Sequence, residues 1–213
     1  MIASEGKVIC IPLILSLVIF FVLTLTTSIL WINYFCIINL ILTLFCVNFF
    51  RDPKRALNRK QLDMLSPADG RVVQIVEISD NDIGRANVIS IFLSVFNVHR
   101  QWVPFDSEVL DYKYNKGAFL GAFFNKASDR NEQAVTYFQT DFGNYKVKQI
   151  AGFIARRIIN YMISGDKKIA GDKLGFIRFG SRVDIIVPQN FSINVSVGQK
   201  VRGCQTILGK FDG

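Results

Sequence analysis

Apolar and polar positions divide this chain into two regimes. Residues 8–50 contain no Asp, Glu, Lys, Arg or His, an uncharged run of 43 residues. One membrane crossing needs about 20 apolar residues, so the run has length for two. The stretch "VICIPLILSLVIFFVL" forms one candidate helix and "ILWINYFCIINLILTLFCVNFF" another, with "TLTTS" as the polar turn between them. The pattern predicts helices over about 8–24 and 29–50, together a membrane hairpin covering residues 1–50. A signal peptide is excluded by length, because its apolar core runs to only about 7–15 residues. A buried soluble hairpin would need polar positions at helical spacing, and Asn33, Asn39 and Asn48 are too few.

From Ser66 onward the period shortens to two. "RVVQIVE" (71–77), "NVISIFLS" (87–94), "EVLDYKY" (108–114), "AVTYFQ" (134–139), "YKVKQIA" (145–151), "RVDIIV" (182–187) and "SINVSV" (192–197) read as strands. Turn signals such as "SPADG", "SDNDIG" and "DFGN" separate them. "FIARRIINYMI" (153–163) reads as the one short helix, and "VSVGQKVRGCQTILG" as a closing strand hairpin. The expected fold is mainly β: a barrel-sandwich-like domain of short strands over residues 51–213, preceded by the two-helix transmembrane hairpin.

Charge adds a topology. Residues 51–213 carry 24 of the 25 Lys and Arg and 16 of the 17 Asp and Glu, so the net +8 lies on this part. "RDPKRALNRK" follows the second candidate helix, Lys7 precedes the first, and the loop between is uncharged. The positive-inside rule then places both ends and the β domain in the cytoplasm, with the hairpin in the cell (inner) membrane. A basic surface beside a bilayer also favours anionic headgroups. Nucleic acid fits poorly, since the chain has no lysine-rich tail and no recognised binding motif. Cys10, Cys36 and Cys46 lie in the apolar run and Cys204 stands alone, so neither a disulfide framework nor a metal site is expected.

Three places could hold chemistry. "GFIRFGSRVDIIVP" reads as two strands, an apolar run to Phe179 and Val183 to Val187, around Gly180-Ser181-Arg182. Gly-Ser is ordinary chemistry for a tight hairpin turn, yet Ser181 could also be a nucleophile beside its own backbone. His99, in "SVFNVHRQWVP", is the only histidine. A lone histidine after an apolar strand is commonly structural, but it is also the one side chain here whose unperturbed pKa lies near neutrality. Asp69, in "SPADG", could cap a Pro-initiated turn in which Gly70 takes positive φ, or could orient His99 as the third member of a nucleophile–base–orienter set.

The segments "FFRDPKR", "SPADGRVV", "FLSVFNVHRQWVPFDSEV", "NEQA", "IAGFIARRI" and "GFIRFGSRVDIIVP" follow one another in an order that resembles the phosphatidylserine decarboxylase proenzymes of the short bacterial type, from about Phe49 to Gly209. The resemblance implies a pyruvoyl-dependent carboxy-lyase that converts phosphatidylserine to phosphatidylethanolamine without a metal. Ser181 would attack the Gly180 carbonyl, and β-elimination would release a β chain, residues 1–180, from an α chain, residues 181–213. The residue left at 181 would become the pyruvoyl group that condenses with the substrate amine. Asp69, His99 and Ser181 would form the cleaving triad. Longer relatives carry a second histidine in an "HRxH" arrangement where this chain has Trp102, so His99 serves both maturation and turnover or turnover draws on another proton source. Arg178 and Arg182 flank the site and could hold the substrate's phosphate or carboxylate, or could be exposed strand residues. The implied partners are a membrane phospholipid and the chain's own two fragments as a heterodimer, with higher oligomers open. The competing readings are a decarboxylase for another serine-headed lipid and a membrane-tethered adaptor that never cleaves.

Overall fold

The computed structural model describes residues 1–117, 132–152, 157–178 and 181–212. The chain divides into two compact units, Met1–Pro53 and Lys54–Gly213.

The first unit is an antiparallel helical hairpin, α1 (Ser4–Thr26) and α2 (Leu30–Phe49). At 1.5 Å per residue they extend about 34 and about 30 Å, enough for a hydrocarbon core of about 30 Å. The outward surface is apolar: Leu15, Ile19, Leu25, Trp31 and Ile41 are all exposed. Water solvates such a surface poorly and lipid solvates it well, so the unit associates with membrane. Three polar residues, Ser16, Asn39 and Thr43, bond with one another. Asn39 Nδ2 donates to Ser16 Oγ across the hairpin at 2.6 Å, and Thr43 Oγ1 donates to Asn39 Oδ1 at 3.1 Å. Interhelical hydrogen bonds of this kind hold helices together where apolar packing distinguishes little between helix and lipid.

The second unit is built of strands. β1 is Asp63–Leu65, β2 Gly70–Asp80, β3 Gly84–Leu93, β4 Arg100–Trp102, β5 Ser107–Asn115, β6 Gln133–Thr140 and β7 Gly143–Ala151. β8 is Ile158–Asn160, β9 Lys167–Lys168, β10 Lys173–Ile177, β11 Ser181–Pro188, β12 Phe191–Ile193, β13 Lys200–Val201 and β14 Ile207–Phe211. They form an eight-stranded sheet, β13-β2-β3-β11-β7-β6-β5-β9, and two three-stranded sheets, β4-β10-β8 and β1-β14-β12. Alternating residues such as Ile89, Ile91, Val147, Val183 and Ile185 turn inward and pack with Met64, Phe138 and Leu208 into one core. Six of the seven strands expected from the pattern lie within three residues of their expected ends; the seventh is cut to Phe191–Ile193.

Three expectations need correction. The helix expected over 153–163 is not one: residues 153–156 lie outside the described residues, and Ile158–Asn160 is a strand paired with β10. The C-terminal segment is no hairpin, because β13 pairs with β2 whereas β14 pairs with β1 and β12. Nor do the strands flanking Gly180-Ser181 pair with each other. β10 pairs with β4 and β8, and β11 pairs with β3 and β7, so the link between them crosses from one sheet to another. The period-two pattern places residues on faces, but the choice of partner strand depends on contacts distant in sequence.

Candidate active site

Ser181 opens β11, a central strand with Leu93 of β3 opposite it on one side and Ala151 of β7 on the other. Gly180 and Phe179 lie outside the described residues. Ser181 is fully buried, and its hydroxyl makes no hydrogen bond among the described residues. An unsatisfied buried hydroxyl costs about 1–3 kcal/mol, and a catalytic role is one reason for keeping such a group.

His99 enters from the other sheet. It immediately precedes β4, and its carbonyl accepts the Ile177 amide of β10 at 3.3 Å. Ser181 and His99 thus lie at the far ends of two short links. One runs from Leu93, opposite Ser181, to His99, and the other from Ile177, bonded to His99, to Ser181. Within the first link Asn97 closes a turn on itself. Its amide donates to the Ser94 carbonyl, and its Oδ1 accepts the Ser94 amide at 2.9 Å and the Ser94 hydroxyl at 2.8 Å. The Asn97 carbonyl is thereby fixed 3.0 Å from His99 Nδ1. A carbonyl only accepts, so in the neutral ring Nδ1 carries the proton and Nε2 the lone pair.

Asp69 is also buried, but its carboxylate has other partners. Arg55 holds it through both oxygens, with Nη2 to Oδ2 at 2.8 Å, and the Gly203 amide donates to Oδ1 at 2.8 Å. Arg55 in turn donates to the Gly203 carbonyl at 2.7 Å and lies 4.6 Å over the Trp102 ring. Among the described residues no hydrogen bond joins Asp69 to His99. The two segments still touch, because the Trp102 amide donates to the Pro67 carbonyl at 2.9 Å. Gly70 does not have positive φ; it is glycine because a Cβ would lie 2.3 Å from the Phe92 carbonyl oxygen. The positive φ expected at Gly70 is thus corrected to a close approach, while the described hydrogen bonds of the Asp69 carboxylate go to Arg55 and Gly203.

The two arginines separate. Arg182 follows Ser181 and so points to the opposite face of β11. There it is buried, with Nε donating to Asp184 at 2.6 Å and Nη2 to Ser90 Oγ at 2.7 Å. Arg178 is half-buried at the end of β10, beside the link to Ser181. Cys204 is buried, and burial pushes its thiol up to about 12, so it stays protonated at neutral pH and offers no rival nucleophile. Among the described residues no group of three or more His, Cys, Asp and Glu could hold a metal ion.

Reasoning from the pattern missed Glu132, although "NEQA" contains it. It is buried, and its Oε1 accepts the Tyr114 hydroxyl at 2.7 Å and the Ile158 amide at 3.0 Å. Burial and this carboxylate push the Tyr114 hydroxyl up to about 12. The Glu132 carbonyl accepts the amide of Ala151, the residue opposite Ser181. Gln149 was missed as well, though it is a polar residue at an inward position of the alternating strand "YKVKQIA".

Comparison with known proteins finds relatives over most of the chain. The family model described as phosphatidylserine decarboxylase matches residues 42–209. A protein of Aromatoleum aromaticum named phosphatidylserine decarboxylase proenzyme is 44% identical over 172 residues, 80% of each chain. Proteins of the same name from Burkholderia pseudomallei, 44% identical over 172 residues, and Nitrosomonas eutropha, 41% over 173, also match across 80% of each chain.

Proposed function

This chain belongs to the phosphatidylserine decarboxylase family, and from that premise we propose that it is a membrane-anchored proenzyme that cleaves itself between Gly180 and Ser181 and then decarboxylates phosphatidylserine to phosphatidylethanolamine. The observation that carries the reading is the buried Ser181 hydroxyl, without a hydrogen bond among the described residues, at the sheet crossing that leads back to His99. The apolar hairpin suits a substrate that does not leave the bilayer.

In the proposed cleavage Ser181 Oγ attacks the Gly180 carbonyl carbon and its proton passes to His99 Nε2. The same nitrogen returns the proton to the leaving amide nitrogen, and an ester replaces the peptide bond. Loss of the Ser181 α-proton then breaks the ester C–O bond, freeing residues 1–180 with a terminal carboxylate. Water hydrolyses the dehydrated residue 181, releasing ammonia and leaving a pyruvoyl end. The site fits that group: it is buried between Leu93 and Ala151, and exchanging the hydroxyl for a carbonyl removes the unsatisfied donor. Once formed, the pyruvoyl group supplies the electron sink for loss of CO2.

The Asn97 carbonyl orients the His99 ring and directs its basic nitrogen. Asp69 acts at one remove as a positioning residue, holding the loop on which the Trp102 backbone rests. Arg178 is the better placed of the two arginines for an anionic group of the substrate. The α and β chains remain together as a heterodimer, and the β domain faces the cytoplasm from the inner membrane, as the basic flanks favour.

Intact-mass measurement of the purified protein tests the reading. Two species are expected, the smaller beginning at residue 181 with a blocked end. One uncut, inactive species from Ser181→Ala beside two from the unaltered chain would support it; one full-length species from an active preparation would overturn it.

A further inference from the structure

The sheet that holds Ser181 and the sheet that His99 precedes are joined by a ladder of largely buried amides with no part in the proposed cleavage steps. Gln149 in β7 stands opposite Val183, two residues before Ala151 and on the same face of the sheet as Ser181. Its amide reaches across to the three-stranded sheet. Nε2 donates to Gln101 Oε1 at 2.9 Å, and Oε1 accepts from Asn160 Nδ2 at 2.9 Å. Gln101 in β4 and Asn160 in β8 are the two register partners of one residue, Gly175 of β10. The Gln149 amide occupies the space above that glycine: a Cβ there would lie 2.7 Å from Nε2.

The ladder continues at both ends. Gln101 Nε2 donates to the His99 carbonyl at 2.7 Å. Asn160 Nδ2 also donates to Thr136 Oγ1 at 3.0 Å, and its Oδ1 accepts the Met162 amide at 2.8 Å. Gln101, Gln149 and Thr136 are completely buried. Every amide oxygen named is satisfied. A network whose acceptors are satisfied in this way rigidifies its surroundings, whereas one missing member leaves costly unpaired groups.

We propose that Gln149 is a positioning residue for self-cleavage, its amide seated over Gly175 and bonded to Gln101 and Asn160 so as to hold His99 at reacting distance from Ser181. This rests on the reading that His99 takes the Ser181 proton. The base must come within about 2.6–3.2 Å of the group it deprotonates, and a misplacement of about 1 Å can cost about 100-fold in rate. Apolar packing presses two sheets together but leaves them free to slide by small amounts; directed hydrogen bonds fix the lateral register.

The test uses full-length precursor in detergent, following the rate constant of self-cleavage in the folded fraction well below its thermal transition. Gln149→Leu removes both bonds at similar volume and should slow cleavage about 10- to 100-fold. Gln149→Glu, buried enough to keep its proton, retains one donor and one acceptor in place and should recover most of the rate. A residue that only stabilised the fold would lower the melting temperature and the folded fraction while leaving the rate constant unchanged. A folded Gln149→Leu variant that matures at the normal rate, or a Gln149→Glu variant no faster than Gln149→Leu, would overturn the proposal. If Gln149→Leu does not fold, Gln101→Met breaks the same ladder beside His99 and should slow maturation likewise; failure of both to fold would make the ladder a folding element and also overturn the proposal. His99→Ala separates the two ideas. Slow His99→Ala with normal Gln149→Leu sinks only the positioning role, whereas normal cleavage in folded His99→Ala sinks the reading beneath it.

Discussion

The Arg55–Asp69 pair is where one side chain's partner changes the argument most. Arg55 and Asp69 are 9% and 11% exposed in their side chains, and removing one member of such a buried pair strands the other's charge at a cost of about 3–5 kcal/mol. Asp69→Asn and Arg55→Met should therefore each lower the thermal transition markedly. The double variant should lose less than the sum, because the second change removes the stranded charge; additive losses would show that the two residues do not act as a pair. His99 poses the complementary case. Folded His99→Ala should stay uncut like Ser181→Ala, and Asn97→Gly, which frees the turn that fixes the ring-orienting carbonyl, should retain cleavage at a reduced rate. Gel bands of precursor and product measure both.

Among elements, β7 is tied to the β2–β3 turn through charge. Lys146 Nζ donates to Asp80 at 2.6 Å and to Asp82 at 2.5 Å. Burial alone would raise the Asp80 carboxyl, but the Lys146 hydrogen bond and the amides of Asp82 and Ile83 outweigh it and hold it below its ordinary value. For Lys146, burial pulls downward, and the two aspartates outweigh it and hold the ammonium above its ordinary value. The depressed carboxyl contributes stability that is present above its unfolded pKa of about 3.9 and is lost as pH falls through the folded value. The raised ammonium contributes stability that is present below its unfolded pKa of about 10.4 and is lost as pH rises through the folded value. Lys146→Met should thus flatten both the acid and the alkaline limbs of a melting-temperature profile while affecting the rate of self-cleavage little. A profile as steep as that of the unaltered chain would show that the cluster contributes nothing.

At the scale of the molecule, cleavage at Gly180–Ser181 would leave a small chain that the fold cannot easily release. β11 lies between β3 and β7, β13 pairs with β2, and β14 pairs with β1. Val183, Ile185 and Val187 are fully buried, each worth about 1.5–3 kcal/mol. The fragments should co-purify and separate only at the urea concentration that unfolds the sheet; separation in native buffer would contradict this. The hairpin predicts a second global property. Extraction should need detergent, and trypsin should reach the exposed Lys54 and Lys60 in inside-out vesicles but not in intact cells.

What the sequence determined by itself is what short-range physics controls. An uncharged run of 43 residues has no good solvent but lipid, and a period of two puts alternate residues on opposite faces of a sheet whichever strands flank it. The hairpin and six strands were therefore legible, and the ordered motifs carried the family. Two- and three-residue strands such as β4 and β9 carry too little period to be read. Only tertiary structure decided which strands pair, and with it that β10 and β11, on either side of Gly180, belong to different sheets rather than to one hairpin. It also decided that Arg55 claims Asp69, that the Asn97 carbonyl faces His99, and that Gln149 bridges Gln101 and Asn160. Each of those contacts joins residues whose side chains allow many partners, and the packing of distant strands selects among them.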